Sequence, residues 1–103
     1  MQLILSHTSE IQSICALHKV KELYVFGSVL TKNFSDKSDI DVLVQFEPMQ
    51  PEDYFDNYID LKDKLGELLH RDIDLVENQA IHNPVFRRIV DREKKLVYER
   101  KSA

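Results

Sequence analysis

Residues 39–46 read Asp-Ile-Asp-Val-Leu-Val-Gln-Phe. In an extended strand successive side chains alternate faces, so Ile40, Val42, Val44 and Phe46 share one side while Asp39 and Asp41 share the other. An apolar face this continuous needs a core to lie on, which makes the strand central and rigidly held. The two acids on its opposite face then need an explanation of their own.

The remaining elements arrange themselves around that strand. Ile11, Ile14, Cys15 and His18 recur at spacings of three and four after a Thr8-Ser9 start signal and predict a first helix. Glu22 to Phe26 predicts a short strand that stops at Gly27. Pro48 and Pro51 close the central strand, and Tyr54, Tyr58, Leu61, Leu65, Leu68 and Leu69 mark an amphipathic helix from Glu52 to Leu69. Gly66 costs that helix about 1 kcal/mol relative to alanine. Asp72 to Glu77 repeats the strand alternation, a last helix follows Asn83-Pro84 through Phe86, Ile89 and Val90, and Lys95 to Glu99 either ends that helix or adds a small strand. The expected fold is α/β, a small sheet flanked by helices. The connection from Gln45 to Glu52 is too short for a crossover helix, so the sheet is expected to be mixed.

At 103 residues and 43% apolar content the chain is expected to be one domain spanning 1–103 with a single core. Its lone cysteine, Cys15, has no partner within the chain and falls in a helical apolar stretch, which suits a reducing, cytoplasmic compartment. Neither a leader segment nor a membrane span is expected. A net charge of −4 argues against sequence-blind binding to nucleic acid, which needs a basic face.

Two carboxylates on one strand face, about 6.7 Å apart at their α-carbons, repel by roughly 2 to 3 kcal/mol at an effective dielectric of about 20. Water offsets this on a solvated face, and a divalent cation offsets it by taking both as hard oxygen ligands. Asp-x-Asp alone is short and common, and an exposed strand face explains it. Here a second pair, Asp72 and Asp74, stands on another strand, and Gly27-Ser28 ends a strand ahead of a short helical turn. Glycine admits a close backbone approach, and a serine hydroxyl with helix-start N–H groups suits phosphate oxygens.

Gly27-Ser28, ten intervening residues, then Asp39-Ile40-Asp41 resembles the signature of the DNA polymerase beta-like nucleotidyltransferase superfamily. The chain's size and the later Asp72-Ile73-Asp74-Leu75-Val76 are similar to the minimal nucleotidyltransferases (MNT), a group that includes antitoxins encoded beside HEPN-domain toxins. The resemblance implies a nucleotidyltransferase fold and transfer of AMP from ATP, with two magnesium ions on Asp39, Asp41 and Asp74. It implies nucleotide binding at Gly27, Ser28, Lys32 and Ser38. Asp72 competes with Asp74 as third acid, and the family's apolar-Asp-Leu-Val pattern favours Asp74. Relatives often follow the Gly-Ser with a small residue, an arginine and a glycine, whereas this chain has Val29, Leu30, Thr31 and Lys32. Lys32 or Lys37 would replace a bidentate phosphate ligand by a point charge.

The implied acceptor is a protein, a HEPN toxin whose tyrosine would be adenylylated, because the chain is too short to build an acceptor-binding domain. Homo- or hetero-oligomers are compatible with that. The alternatives are a non-catalytic antitoxin that acts by occlusion and a small-molecule transferase of the aminoglycoside type. His7, His18, His70 and His82 lack metal-ligand spacing and are read as structural or solvent-exposed. Tyr54, Phe55 and Tyr58 are read as a helix face packed on the sheet, with base stacking as the sharper option. Arg87-Arg88 and Lys94-Lys95 are read as a solvated face, or as a dock for an acidic partner.

Overall fold

In the computed structural model, which describes residues 1–101, the alternating run lies inside a four-stranded sheet. The strands are β1 (Val20–Phe26), β2 (Ile40–Phe46), β3 (Ile73–Glu77) and β4 (Lys95–Glu99), in the spatial order β3-β2-β1-β4. β1 runs antiparallel to β2 and β4, while β2 and β3 are parallel. The sheet is mixed as expected, though for another reason. The helix after Gln45–Glu52 is itself the crossover between parallel neighbours, and the antiparallel pair arises where residues 27–39 hold only a short 3-10 turn.

Among the described residues four α-helices accompany the sheet: α1 (Gln2–Leu5), α2 (Thr8–Leu17), α3 (Pro51–Leu69) and α4 (Pro84–Glu93). The Thr8-Ser9 signal does start α2, whereas α1 has no periodicity long enough to announce it. β1 begins two residues before the expected Glu22, and Lys95–Glu99 is an edge strand and not a continuation of α4. Pro51 opens α3 at a position where its missing N–H costs nothing, with Glu52 and Asp53 favourably placed in the first turn. The helix ends at His70 in a left-handed conformation, φ 56°, and the chain folds back so that a side chain at Gly66 would meet the Arg71 carbonyl at 3.1 Å. The glycine that weakens the helix thus permits its exit.

One face of the sheet carries the main core. Ile11 and Cys15 of α2 and Leu61, Leu65 and Leu69 of α3 pack against Val25, Ile40, Val42, Val44 and Leu75. Cys15 is fully buried, and that burial pushes its thiol up to about 12, so it serves packing and not nucleophilic chemistry. His18, also buried, ties α2 to α3: Nδ1 donates to the Ile14 carbonyl at 2.7 Å, and Nε2 meets the Asp60 carboxylate at 2.6 Å. Its structural reading holds. On the second face α4 covers only a portion, with Val90 on Phe26 and Leu43. Asp41 stays half-buried and Asp74 exposed on that face. Among the described residues no helix is long and apolar enough to cross a membrane.

The Asn83 side chain accepts hydrogen bonds from the backbone N–H groups of Val85 and Phe86, at 2.9 and 3.1 Å, and caps α4. Replacing it by alanine should cost about 1 kcal/mol and lower Tm by roughly 4 to 8 °C, while Asn83→Asp should cost little. Thermal unfolding of the two variants checks this.

Candidate active site

Strand register assembles the site. Asp41 lies opposite Phe26 across the β1–β2 pair and opposite Asp74 across the β2–β3 pair. The end of β1, Asp41 and Asp74 therefore form one row across three strands. Gly27 follows Phe26 with φ +74°, a left-handed conformation that glycine adopts without strain, and a Cβ there would sit 2.3 Å from the Asp41 Oδ2 atom. Backbone conformation and contact with the acid both demand glycine at this position. The 3-10 turn Gly27–Leu30 is closed by the Thr31 N–H and hydroxyl, each donating to the Ser28 carbonyl at 2.9 Å. The terminal ammonium of Met1 donates to the Val29 carbonyl at 2.8 Å and pins the same turn.

The carboxylates are in electrostatic conflict. Asp41 is raised to about 6, first by burial, then by the charge and hydrogen bond of Asp74, and last by the charge of Asp39. Like charges on adjacent strands favour the neutral form of the more buried acid, Asp41, and a cation between them would relieve the same repulsion. Asp39 stands exposed one residue before β2 and contributes least. Among the described residues no three His, Cys, Asp or Glu side chains close into a ready-made cation cage. The donor set nevertheless fits magnesium: hard oxygen ligands in contact, next to a third, whose mutual repulsion a divalent ion would relieve.

The other candidates fall in different places. Asp72 precedes β3, its carbonyl accepts from the Ile40 N–H at 3.0 Å, and it lines a polar cavity of about 550 Å³ together with Asp39, Ser38, Lys37 and Arg71. Asp74, not Asp72, stands beside Asp41. Ser38 uses its hydroxyl to accept from the Ser35 N–H at 3.1 Å, inside its own loop. Lys32 is exposed and pairs with no acid among the described residues. Arg71 drew no attention in the sequence, yet it clamps the loop leading to Asp39. Its guanidinium donates to the Ser35 carbonyl at 2.7 Å and lies 4.7 Å over the Phe34 ring.

Tyr54 and Tyr58 pack as expected, stacked on each other, with the Tyr54 hydroxyl donating to Glu77 and the Tyr58 hydroxyl to the Leu75 carbonyl. Phe55 does not: it is 68% exposed. Part of the basic C-terminal run is spent internally, Arg87 on Asn78 and Asp91 and Lys94 on Asp91.

Strand pairing thus sets a glycine-pinned turn against paired acids on adjacent strands, and the family pattern described as "Polymerase beta, Nucleotidyltransferase" matches residues 9–103. The chain belongs to that nucleotidyltransferase family. It is 37% identical over 98 residues, 87% of this chain and 95% of the relative, to the Methanocaldococcus jannaschii protein named "Putative protein adenylyltransferase MJ0128". A solved structure described as a "putative minimal nucleotidyltransferase" superposes with a TM-score of 0.75 at 30% identity, over 91% of this chain and 92% of that one. The same fold, at 22% identity and a TM-score of 0.65, covers 94% of this chain and 73% of a chain from the "tri-AMPylated Shewanella oneidensis HEPN toxin in complex with MNT antitoxin".

The raised Asp41 carboxyl has a stability consequence. A carboxyl that holds its proton more tightly in the folded state costs nothing below about pH 4, and the cost grows as pH rises through about 6. With EDTA present, Asp41→Asn should therefore raise Tm at pH 8 by about 5 °C, equivalent to roughly 1 kcal/mol after allowing for solvent screening, and change little at pH 4. Thermal unfolding at both pH values checks the sign. Gly27→Ala should lower Tm at both.

Proposed function

We propose that the chain is a magnesium-dependent protein adenylyltransferase that moves AMP from ATP to a hydroxyl group of a partner protein, an antitoxin that modifies a toxin of the HEPN type. The observation that carries this reading is the row formed by Gly27, Asp41 and Asp74, in which a turn fit for phosphate touches one acid and that acid touches another. Adenylyl transfer is named in the M. jannaschii relative, and an AMPylated toxin with its MNT partner is named in the Shewanella complex. One minimal domain would supply the transferase half, and the partner would bring the acceptor. A reducing cytoplasm suits the single cysteine, Cys15.

Asp39, Asp41 and Asp74 would hold the two magnesium ions, whose charge neutralises the α-phosphate and makes the acceptor hydroxyl a better nucleophile. Gly27 and Ser28 hold the outer phosphates and leave the α-phosphorus facing Asp74. Asp74 receives the proton as the acceptor oxygen bonds to phosphorus, and the bond to pyrophosphate breaks on the opposite side. Lys32 and Ser38 have secondary places in this scheme: the lysine is exposed and would have to reach the phosphates as a point charge, and the serine hydroxyl would have to leave Ser35 before it could reach a nucleotide.

Incubating the protein with α-labelled ATP, magnesium and a lysate containing the cognate toxin should place label on a protein. Asp39→Asn and Asp74→Asn should each reduce labelling at least ~100-fold, the loss of about 2.7 kcal/mol of transition-state stabilisation. No label from wild type, with the toxin still neutralised, would leave occlusion as the mechanism.

A further inference from the structure

Asp39 differs from the other two acids in what holds it. Asp41 and Asp74 face each other within the β2–β3 register, whereas Asp39 stands one residue before β2, exposed and without an ion pair among the described residues. The placing of its carboxylate therefore falls to the backbone on either side of it. Both flanking groups are held by the turn between α3 and β3. The Ser38 carbonyl accepts from an Arg71 guanidinium nitrogen at 3.4 Å, the same nitrogen that donates to the Ser35 carbonyl at 2.7 Å. On the other side the Ile40 N–H donates to the Asp72 carbonyl at 3.0 Å.

Arg71 is itself well fixed. Its guanidinium lies 4.7 Å over the ring of Phe34, which packs on the main core, and its side chain is only 17% exposed despite the charge. The backbone N–H of Arg71 donates to the Gly66 carbonyl at 3.3 Å, which anchors the residue to the end of α3. Asp36 stands 3.7 Å from the other terminal nitrogen, but that carboxylate is fully exposed and adds little. The hydroxyls of Ser35 and Ser38 bond within the loop and shape it without tying it to the sheet. A planar guanidinium can hold two carbonyls and an aromatic face at once, which the ammonium of a lysine cannot.

We propose that Arg71 is the positioning residue of the cation site: it holds the backbone at Ser38 so that Asp39 joins Asp41 and Asp74 as an oxygen ligand, and the affinity for the cation depends on it. The inference rests on the adenylyltransferase reading for the use made of the cation, and it deepens that reading by naming what completes the site. The register of β2 on β3 keeps Asp41 and Asp74 together when the clamp is lost. Removing Arg71 thus withdraws one ligand and leaves two, which weakens the site without abolishing it.

The test reads Mn2+ binding to the full chain without nucleotide, from the loss of the free-ion EPR signal. Arg71→Met should weaken binding ~10-fold, and Arg71→Lys should weaken it less. Phe34→Leu keeps an apolar side chain on the core and removes the ring under the guanidinium, so it should weaken binding in the same direction even if Arg71→Met fails to fold. In an Asp39→Asn background Arg71→Met, or Phe34→Leu in its place, should change the affinity no further, because the ligand that the clamp positions is already gone. In the transfer assay Arg71→Met should raise the magnesium concentration for half-maximal labelling ~10-fold, with most of the rate recovered at saturating magnesium. Unchanged Mn2+ affinity in these variants, no Mn2+ binding by wild type, or an equal loss in the wild-type and Asp39→Asn backgrounds would each overturn the inference, the last by showing a general loosening of the fold. Mn2+ binding that follows the expected pattern in a protein that labels no acceptor would uphold the role of Arg71 and count against the adenylyltransferase reading.

Discussion

The contact between Asp41 and Asp74 is the interaction on which the rest of the molecule depends. Parallel pairing of β2 with β3 sets Ile40 against Ile73 and Asp41 against Asp74, so burying the aliphatic face brings the acids together. The two outcomes are inseparable, because the side-chain period of a strand is two and a one-residue slip would invert both faces. Asp41, half-buried, bears the electrostatic cost, and the core on the other face must exceed it. Fully buried Ile40, Val42 and Val44 lie back to back with the acids and are gripped by Leu61 and Leu65.

That arrangement explains why so small a chain devotes α2 and α3 to one side of its sheet. The His18–Asp60 contact and the packing of Cys15 stiffen the helix layer behind the acids, while α4 reaches only as far as Phe26 and Leu43, through Val90, on the open side. A layer that covered Asp41 and Asp74 as well would add apolar burial and close the site. Stability and access are therefore divided between the two faces of one sheet.

Much of this was legible in the sequence where the signal is local. The alternation of residues 39–46, the helical periodicity of 52–69 and the Asn83-Pro84 start needed only neighbouring residues, and each element is present near its expected place. What depends on pairing was not legible. Asp72 and Asp74 share their spacing, and only the resemblance to the family's apolar-Asp-Leu-Val pattern favoured Asp74; the register of β2 on β3 is what sets Asp74 beside Asp41. The sheet was expected to be mixed from a connection that turned out to lead into the parallel crossover. Arg71 passed unnoticed because its partners are backbone carbonyls more than thirty residues away, which no motif encodes. Phe55 was grouped with Tyr54 and Tyr58 by type, and exposure alone sets it apart.

Arg71 also bears on the loop after Ser28. Residues 31–39 must leave the Gly27–Leu30 turn and deliver Asp39 to the start of β2, a path of irregular backbone with little apolar anchorage. Thr31 closes its beginning on the Ser28 carbonyl, and Arg71 holds its end through Ser35 and the Phe34 ring. The clamp comes from the turn between α3 and β3, the segment that also places Asp74. Arg71 and Asp74 lie three residues apart, so any shift of that turn would move the loop bearing Asp39 and the strand bearing Asp74 together. Coupling the acids through one short segment keeps their relative geometry while leaving the rest of the loop free to vary.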